Sequence, residues 1–102
     1  MTADPTAPIC GHLDRVRRVT PDSADSCPEC VARGDTWVHL RECQTCGHVG
    51  CCDSSRNQHA TAHRAATGHP LIRSYEPGET WWWCYEDRIS FDVEGAPPAR
   101  AA

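Results

Sequence analysis

Cysteine and histidine recur along this 102-residue chain in pairs and short clusters whose spacing is typical of metal sites. Structural zinc sites are tetrahedral with Cys and His ligands, and C-x-x-C is a frequent half-site. The candidate ligands are Cys10, His12, Cys27, Cys30, Cys43, Cys46, Cys51, His59, His63, His69, Cys84 and Asp87. Four ligands per ion divide this set into three zinc sites, with two sites as the alternative. We therefore predict a fold that is built around zinc.

A conventional hydrophobic core is hard to build from this composition. Hydrophobic residues make up 39% of the chain, a figure that includes eight Cys, and there is a single Phe and a single Met. Small domains with so little aliphatic bulk usually depend on disulfides or metals. The sequence contains no secretory signal and no membrane span of about 18 apolar residues. We therefore expect a reducing, cytoplasmic location, where paired thiols bind metal more often than they form disulfides.

The charge argues against a general nucleic-acid binder. The formal net charge is −4, and the ten basic residues are all Arg, a composition that fits a bacterial protein. Phosphate binding depends on clustered cations, and the one basic run is Arg15, Arg17 and Arg18. Binding of single-stranded nucleic acid through aromatic side chains stays an alternative function. A redox-responsive or zinc-storage role that uses Cys52 and the other thiols is a second alternative.

The local sequence predicts one main helix at about 56–67. Ser55 and Gln58 have the spacing of a capping box, several alanines favour a helix, and Gly68 supplies a stop. His59 and His63 are four residues apart and therefore share one face of this helix. A second, shorter helix is possible at Pro28–Arg33.

Apolar stretches with strand-like composition predict the rest of an α+β domain. The candidate strands are Thr36–Arg41, His48–Cys51, Leu71–Tyr75, Trp81–Tyr85 and Arg88–Val93. We expect these five strands to form a twisted antiparallel sheet within a single domain at 10–94. The Pro- and Ala-rich ends, 1–9 and 95–102, are expected to be flexible.

Four stretches of the chain carry a family resemblance: Cys43-Gln-Thr-Cys46-Gly-His-Val-Gly-Cys51, His59-Ala-Thr-Ala-His63, Gly68-His69-Pro70 and Trp83-Cys84-Tyr85. They resemble the UBP-type zinc finger, the ubiquitin-binding module of ubiquitin-specific proteases and of some deacetylases and ring-finger ligases. The resemblance covers Cys10 to about Asp87. It implies a non-catalytic domain with structural zinc.

The resemblance also implies how the ligands divide, because three-zinc members of the family interleave them. One site would be Cys27, Cys30, Cys51 and His59, a second Cys43, Cys46, His63 and His69, and a third Cys10, His12, Cys84 and Asp87. The family has Cys at the last position, where this chain has Asp87. A carboxylate is an acceptable zinc ligand, and Glu86 or water are the alternatives.

Cys51 and Cys52 compete for one ligand position, because neighbouring residues on a strand point to opposite faces. Counting forward from Cys46, as the family motif does, selects Cys51. Counting back from His59 selects Cys52. We take Cys51 as the ligand, since its motif matches the family more closely. Twelve ligands for three ions leave no open coordination position, so we do not expect an enzyme.

The family pocket holds the C-terminal Gly-Gly tail of ubiquitin between aromatic side chains, with an Arg close to the carboxylate. The resemblance implies ligand-binding residues at Trp37, Asp53, Arg56, Trp81, Trp83 and Tyr85. Many members read Cys-Gly-Arg where this chain reads Cys51-Cys52-Asp53, so an acid replaces the arginine. Arg56, Arg41 or Arg33 could supply the cation instead. We predict capture of a peptide or protein tail, with a ubiquitin-like tail as the weaker hypothesis.

Overall fold

The computed structural model describes residues 19–93 and 96–100, which form a small α+β fold. The predicted fold class is confirmed. Within these residues the elements are α1 (Pro28–Arg33), β1 (Leu40–Cys43), β2 (Val49–Cys51), α2 (His59–Thr67), β3 (Leu71–Ser74), β4 (Trp81–Cys84) and β5 (Ile89–Asp92). Neither described helix has the length and apolar character that crossing a bilayer requires. The predicted flexible segment 1–9 and the ligand pair Cys10 and His12 lie outside the described residues.

The five strands form one sheet in the order β2-β1-β3-β4-β5, and all neighbours are antiparallel. Directly paired residues of antiparallel strands point to the same face of the sheet. One face therefore carries the row Glu42, Arg73, Trp82 and Phe91, and the other carries the row Cys43, Ile72, Trp83 and Ser90. In β4 this alternation buries Trp82 and Cys84 and leaves Trp81 and Trp83 partly exposed.

Two clusters of buried side chains make up the core. The first contains Cys27, Cys30, Leu40, Val49, Cys51 and Tyr75, with Trp37 and Ala99 packed against it. The second contains Leu71, Trp82, Cys84 and Phe91, with Ile89 and Val93 at its margin. Three of the six residues in the first cluster are cysteines from the predicted zinc ligands. Packing and metal ligation therefore depend on the same side chains.

The start of α2 differs from the prediction. The helix begins at His59 rather than at 56, and no side chain caps it. Ser55 lies four residues before this start, and its Oγ accepts a hydrogen bond from the Val38 N–H at 2.8 Å. Gln58 occupies the capping position with a left-handed backbone (φ 49°). The His59 N–H instead donates to Cys51 Sγ at 3.2 Å, so a predicted zinc ligand takes the place of the capping side chain.

Residues 96–100 lie against the domain, and the flexibility predicted for 95–102 stays a prediction. Arg73 Nη2 donates a hydrogen bond to the Pro97 carbonyl at 2.6 Å. Arg100 Nε donates to the Tyr75 carbonyl at 2.6 Å, and its guanidinium lies 4.8 Å from the centre of the Tyr75 ring. Tyr75 belongs to the first core cluster, so this segment covers part of the core.

Gly50 lies against the backbone at the start of α2. A Cβ placed on Gly50 would lie 2.8 Å from the Ala60 nitrogen, and that atom is backbone and cannot rotate away. We expect Gly50→Ala to lower the free energy of unfolding by about 1 to 3 kcal/mol, because the helix must shift to make room. Urea unfolding of the zinc-loaded protein measures this. Gly34→Asn is the control, since the site is open and Asn tolerates its left-handed backbone. Equal losses in the two variants would contradict the close contact.

Candidate metal centres and aromatic pocket

The first candidate metal centre joins four buried side chains from three parts of the fold. Cys27 precedes α1, Cys30 lies within it, Cys51 ends β2 and His59 begins α2. His59 Nδ1 lies 3.3 Å from Cys27 Sγ, 3.4 Å from Cys30 Sγ and 3.6 Å from Cys51 Sγ. The sulfurs of Cys30 and Cys51 are 3.8 Å apart. The fold therefore brings these four residues together and places Cys51, rather than Cys52, in the cluster.

These distances fit a zinc ion with three sulfur ligands and one nitrogen ligand. Tetrahedral geometry with Zn–S bonds of about 2.3 Å and Zn–N bonds of about 2.0 Å separates two sulfurs by about 3.8 Å and sulfur from nitrogen by about 3.5 Å. Without a cation, burial raises the pKa of the Cys27 thiol to about 12 and also raises the pKa of Cys51. A divalent cation supplies the positive charge that buried thiolates lack, and its binding releases their protons.

The second candidate metal centre has two sulfur and two nitrogen donors. Cys43 Sγ lies 3.5 Å from His69 Nδ1, and Cys46 Sγ lies 3.3 Å from His63 Nε2. Cys43 ends β1, Cys46 follows in the turn before β2, and His69 comes directly after the Gly68 stop of α2. Cys46 is exposed, so this centre lies closer to solvent than the first. Its donor set is also one that structural zinc uses.

Helix α2 contributes a ligand to each centre. His59 and His63 are one turn apart on the same face, yet His59 presents Nδ1 to the first cluster and His63 presents Nε2 to the second. The helix is too short, at nine residues, to be stable alone in water. Packing on the sheet holds it in place, and a bound ion at each centre would add a further link.

Two carboxylates and a histidine that no local motif indicates link the two centres. His48 lies 2.7 Å from Asp22 through Nδ1 and 2.7 Å from Glu29 through Nε2. Its ring stacks on His63 of the second centre, with ring centres 4.4 Å apart. The other Glu29 oxygen lies 4.0 Å from Nε2 of His59 in the first centre. Carboxylates beside metal-binding histidines fix the orientation of the ring. Only the fold could reveal this set, because its members are far apart in sequence.

Cys84 and Asp87 from the predicted third site lie together at the end of β4. Cys84 Sγ is 3.6 Å from Asp87 Oδ2, and the Asp87 N–H donates to the same sulfur at 3.5 Å. Glu86, the alternative ligand, lies 3.6 Å from the Arg64 guanidinium. That ion pair links Glu86 to α2.

A pocket of about 230 Å³ opens on the sheet face that carries Trp83. The lining residues are Arg41, Cys52, Asp53, Ser54, Ile72, Trp81, Trp83 and Tyr85. Four of the six predicted ligand-binding residues are among them: Asp53, Trp81, Trp83 and Tyr85. Trp37 packs instead against the first core cluster. Arg56 is exposed and does not line the pocket.

The cation in the pocket is Arg41, one of the three arginines considered as replacements for the family arginine. The Arg41 guanidinium lies 4.4 Å from the centre of the Trp81 ring, and its Nη1 donates to the Leu40 carbonyl at 2.9 Å. Stacking on an aromatic face holds a guanidinium in place and leaves its edge free to donate hydrogen bonds. Arg41 therefore presents hydrogen-bond donors to the pocket.

Asp53 lies on the pocket wall in a fixed orientation. Its Oδ1 accepts a hydrogen bond from the Thr61 hydroxyl at 2.5 Å, and Thr61 Oγ1 is 3.2 Å from the Tyr85 hydroxyl. Burial raises the pKa of Tyr85, and the charge of Asp53 adds to this effect, so the phenol stays protonated. Trp83 and Tyr85 pack edge to face with ring centres 6.5 Å apart.

Cys52 is the spare thiol beside the first metal centre. It is buried, it lies 3.5 Å from Ser55 Oγ, and its N–H donates to the His39 carbonyl. Burial acts to raise its pKa, but hydrogen bonds from Ser55 and from backbone groups outweigh burial and leave the pKa lowered. Cys52 also lines the pocket.

Comparison with known proteins agrees with this description of the site. A family model described as "Zn-finger in ubiquitin-hydrolases and other protein" matches residues 27–94, and the chain belongs to this family. The chain is 29% identical to histone deacetylase 6 of Caenorhabditis elegans over 74% of its own length, but this match spans only 8% of that relative. The solution NMR structure of protein RPA1320 from Rhodopseudomonas palustris is 46% identical, with a TM-score of 0.76 and complete coverage of both chains.

The neighbouring cysteines 51 and 52 provide a matched test of the first centre. We expect Cys51→Ser to lose about one zinc per chain and to unfold at a markedly lower temperature, because it removes a thiolate from the cluster. Cys52→Ser should keep the zinc content of the unsubstituted protein. Elemental analysis and thermal unfolding measure both effects. A loss of zinc from Cys52→Ser alone would show that the ligand had been assigned to the wrong cysteine.

Proposed function

We propose that this chain is a non-catalytic zinc module that captures a free C-terminal peptide tail in its aromatic pocket. Zinc would be held at the first centre by Cys27, Cys30, Cys51 and His59, and at the second by Cys43, Cys46, His63 and His69. Cys10, His12, Cys84 and Asp87 would hold a third ion. Zinc supplies the cross-links between the sheet and both helices. Because every site has four protein ligands, no position remains for an activated water.

The observation that carries the proposal is the position of Arg41 beside the aromatic walls of the pocket. Trp83 and Tyr85 provide apolar surface for a small, extended tail, and the stacked guanidinium provides paired donors for a carboxylate. Arg binds carboxylates with two parallel hydrogen bonds, which is stronger and more directional than a single bond. Arg41 therefore takes over the role that the family arginine has at the position of Asp53.

The chemistry of the pocket favours a peptide over a nucleic acid. A phosphate backbone requires several clustered cations. Asp53 lies on the pocket wall and would repel a polyanion. A free carboxylate, in contrast, places one negative charge at one end of an otherwise neutral chain. We assign the protein to the cytoplasm, where thiolate-bound zinc is stable against oxidation.

Binding should depend on the terminal carboxylate. We expect a peptide that ends in a free Gly-Gly to bind about tenfold more tightly than its amidated form, since amidation removes the charge-assisted hydrogen bonds to Arg41. NMR titration of the tryptophan indole N–H signals measures both affinities. Arg41→Gln should abolish the difference, and Arg56→Gln, outside the pocket, should keep it. Unchanged indole signals at millimolar peptide would remove the proposal.

The third ion should be the most easily removed. A site with two thiolates, one histidine and one carboxylate loses zinc to acid and chelator before a site with three thiolates. We expect three zinc ions per chain in the intact protein, and two in Cys10→Ser or Asp87→Ala, as measured by elemental analysis. Stepwise chelation should release one ion first. Simultaneous release of every ion, or two ions in the intact protein, would contradict the third site.

A further inference from the structure

Asp22, His48 and Glu29 form a three-residue clamp between the two metal centres. Nδ1 of His48 lies 2.7 Å from Asp22 Oδ2, and its Nε2 lies 2.7 Å from Glu29 Oε1. The second Asp22 oxygen accepts a hydrogen bond from the Val49 N–H at 2.8 Å, which fixes that carboxylate against the start of β2. Because the side chain of His48 is only 20% exposed, water competes little for these contacts.

The clamp connects two chain segments that supply ligands to different centres. One of its carboxylates lies on each side of Cys27, and Glu29 directly precedes Cys30. Both of these cysteines belong to the first centre. His48 lies two residues after Cys46, in the turn that brings a sulfur to the second centre. An ion that fixes one of these segments therefore restricts the other.

The clamp also reaches a histidine ligand of each centre. The His48 ring stacks on His63, with ring centres 4.4 Å apart and ring planes inclined by 25°. Glu29 Oε2 lies 4.0 Å from Nε2 of His59, the ring nitrogen that does not face the sulfurs. A neighbour that holds a ligand ring in place before the ion arrives reduces the conformational entropy lost on binding. His48 and Glu29 are therefore positioning residues for both centres.

We propose that the clamp makes the two ions bind cooperatively, so that an ion at the second centre raises the affinity of the first. The reverse effect has the same size, because coupling between two binding sites is reciprocal. An ion that fixes His63 holds the stacked His48 ring, which holds Glu29 and the adjoining Cys30 in place. This inference rests on the two ligand sets of the proposed function and adds a coupling between them. It implies that chains with only one of these centres filled are scarce when metal is limiting.

Cadmium-113 NMR of the whole 102-residue chain measures the coupling, because an ion with three sulfur ligands and an ion with two give separate signals. The first centre gives the signal with three sulfurs, and Cys46→Ser identifies the signal of the second by removing or shifting it. Competition with a chelator then gives the affinity of the first centre with the second intact or disabled by Cys46→Ser. We expect this affinity to fall about tenfold when the second centre is disabled, the size of an ordinary coupling between sites.

Variants that open the clamp test whether it carries the coupling. His48→Phe keeps a ring that can stack on His63 but loses both carboxylate contacts. Glu29→Ala opens the clamp from the other side and leaves a good helix former in α1. In either background, adding Cys46→Ser should change the first-centre affinity by less than about threefold. Asp25→Ala removes an exposed carboxylate of the same segment that lies outside the clamp, and it should keep the full coupling.

The deciding quantity is the coupling rather than either affinity, because a purely structural defect would weaken the first centre equally with the second intact or disabled. Coupling that persists at full size in both His48→Phe and Glu29→Ala would assign it to helix α2 and overturn the role of the clamp. Equal first-centre affinity in the unsubstituted chain and in Cys46→Ser would overturn cooperativity and leave both ligand sets standing. An unchanged second-centre signal in Cys46→Ser would overturn the ligand set itself.

Discussion

The Cys51 sulfur is the point on which the rest of the structure depends. It ends an edge strand of the sheet, lies 3.8 Å from Cys30 of α1 and 3.6 Å from Nδ1 of His59 in α2. The same sulfur accepts the first N–H of α2. The strand and both helices therefore meet at Cys51 Sγ. A bound cation would keep this sulfur deprotonated. Few apolar side chains could replace this connection, because three of the six buried residues of the surrounding cluster are cysteines.

The two candidate metal centres form a connected unit through α2 and through His48. The helix supplies His59 to one centre and His63 to the other. His48 stacks on His63 and contacts Glu29, whose second oxygen approaches His59. A displacement at either centre would therefore reach the other through packed rings and hydrogen bonds. This arrangement explains how a nine-residue helix without a capping side chain keeps a defined position on a small sheet.

The first centre positions one wall of the pocket through Cys51. Residues 52–54 follow Cys51 directly and form one wall, while Trp81, Trp83 and Tyr85 form the opposite one. Thr61 on α2 joins the walls, since its hydroxyl bonds Asp53 and approaches the Tyr85 hydroxyl. A ligand in this pocket would meet side chains whose backbone is held by the metal ligands, so little conformational entropy would be lost on binding.

The sequence alone determined the fold class, because ligand spacing and strand periodicity are local properties of the chain. The bounds of α1, the alternation of β4 and the Gly68 stop all follow from neighbouring residues. The start of α2 did not, because Ser55 is recruited by Val38 from a distant part of the chain and Cys51 replaces it as acceptor. Only the tertiary structure decided that Arg41, rather than Arg56, faces the pocket, and that Trp37 packs against the first core cluster. Those outcomes depend on how strands pair and where the helix crosses them, and no local pattern encodes such long-range geometry.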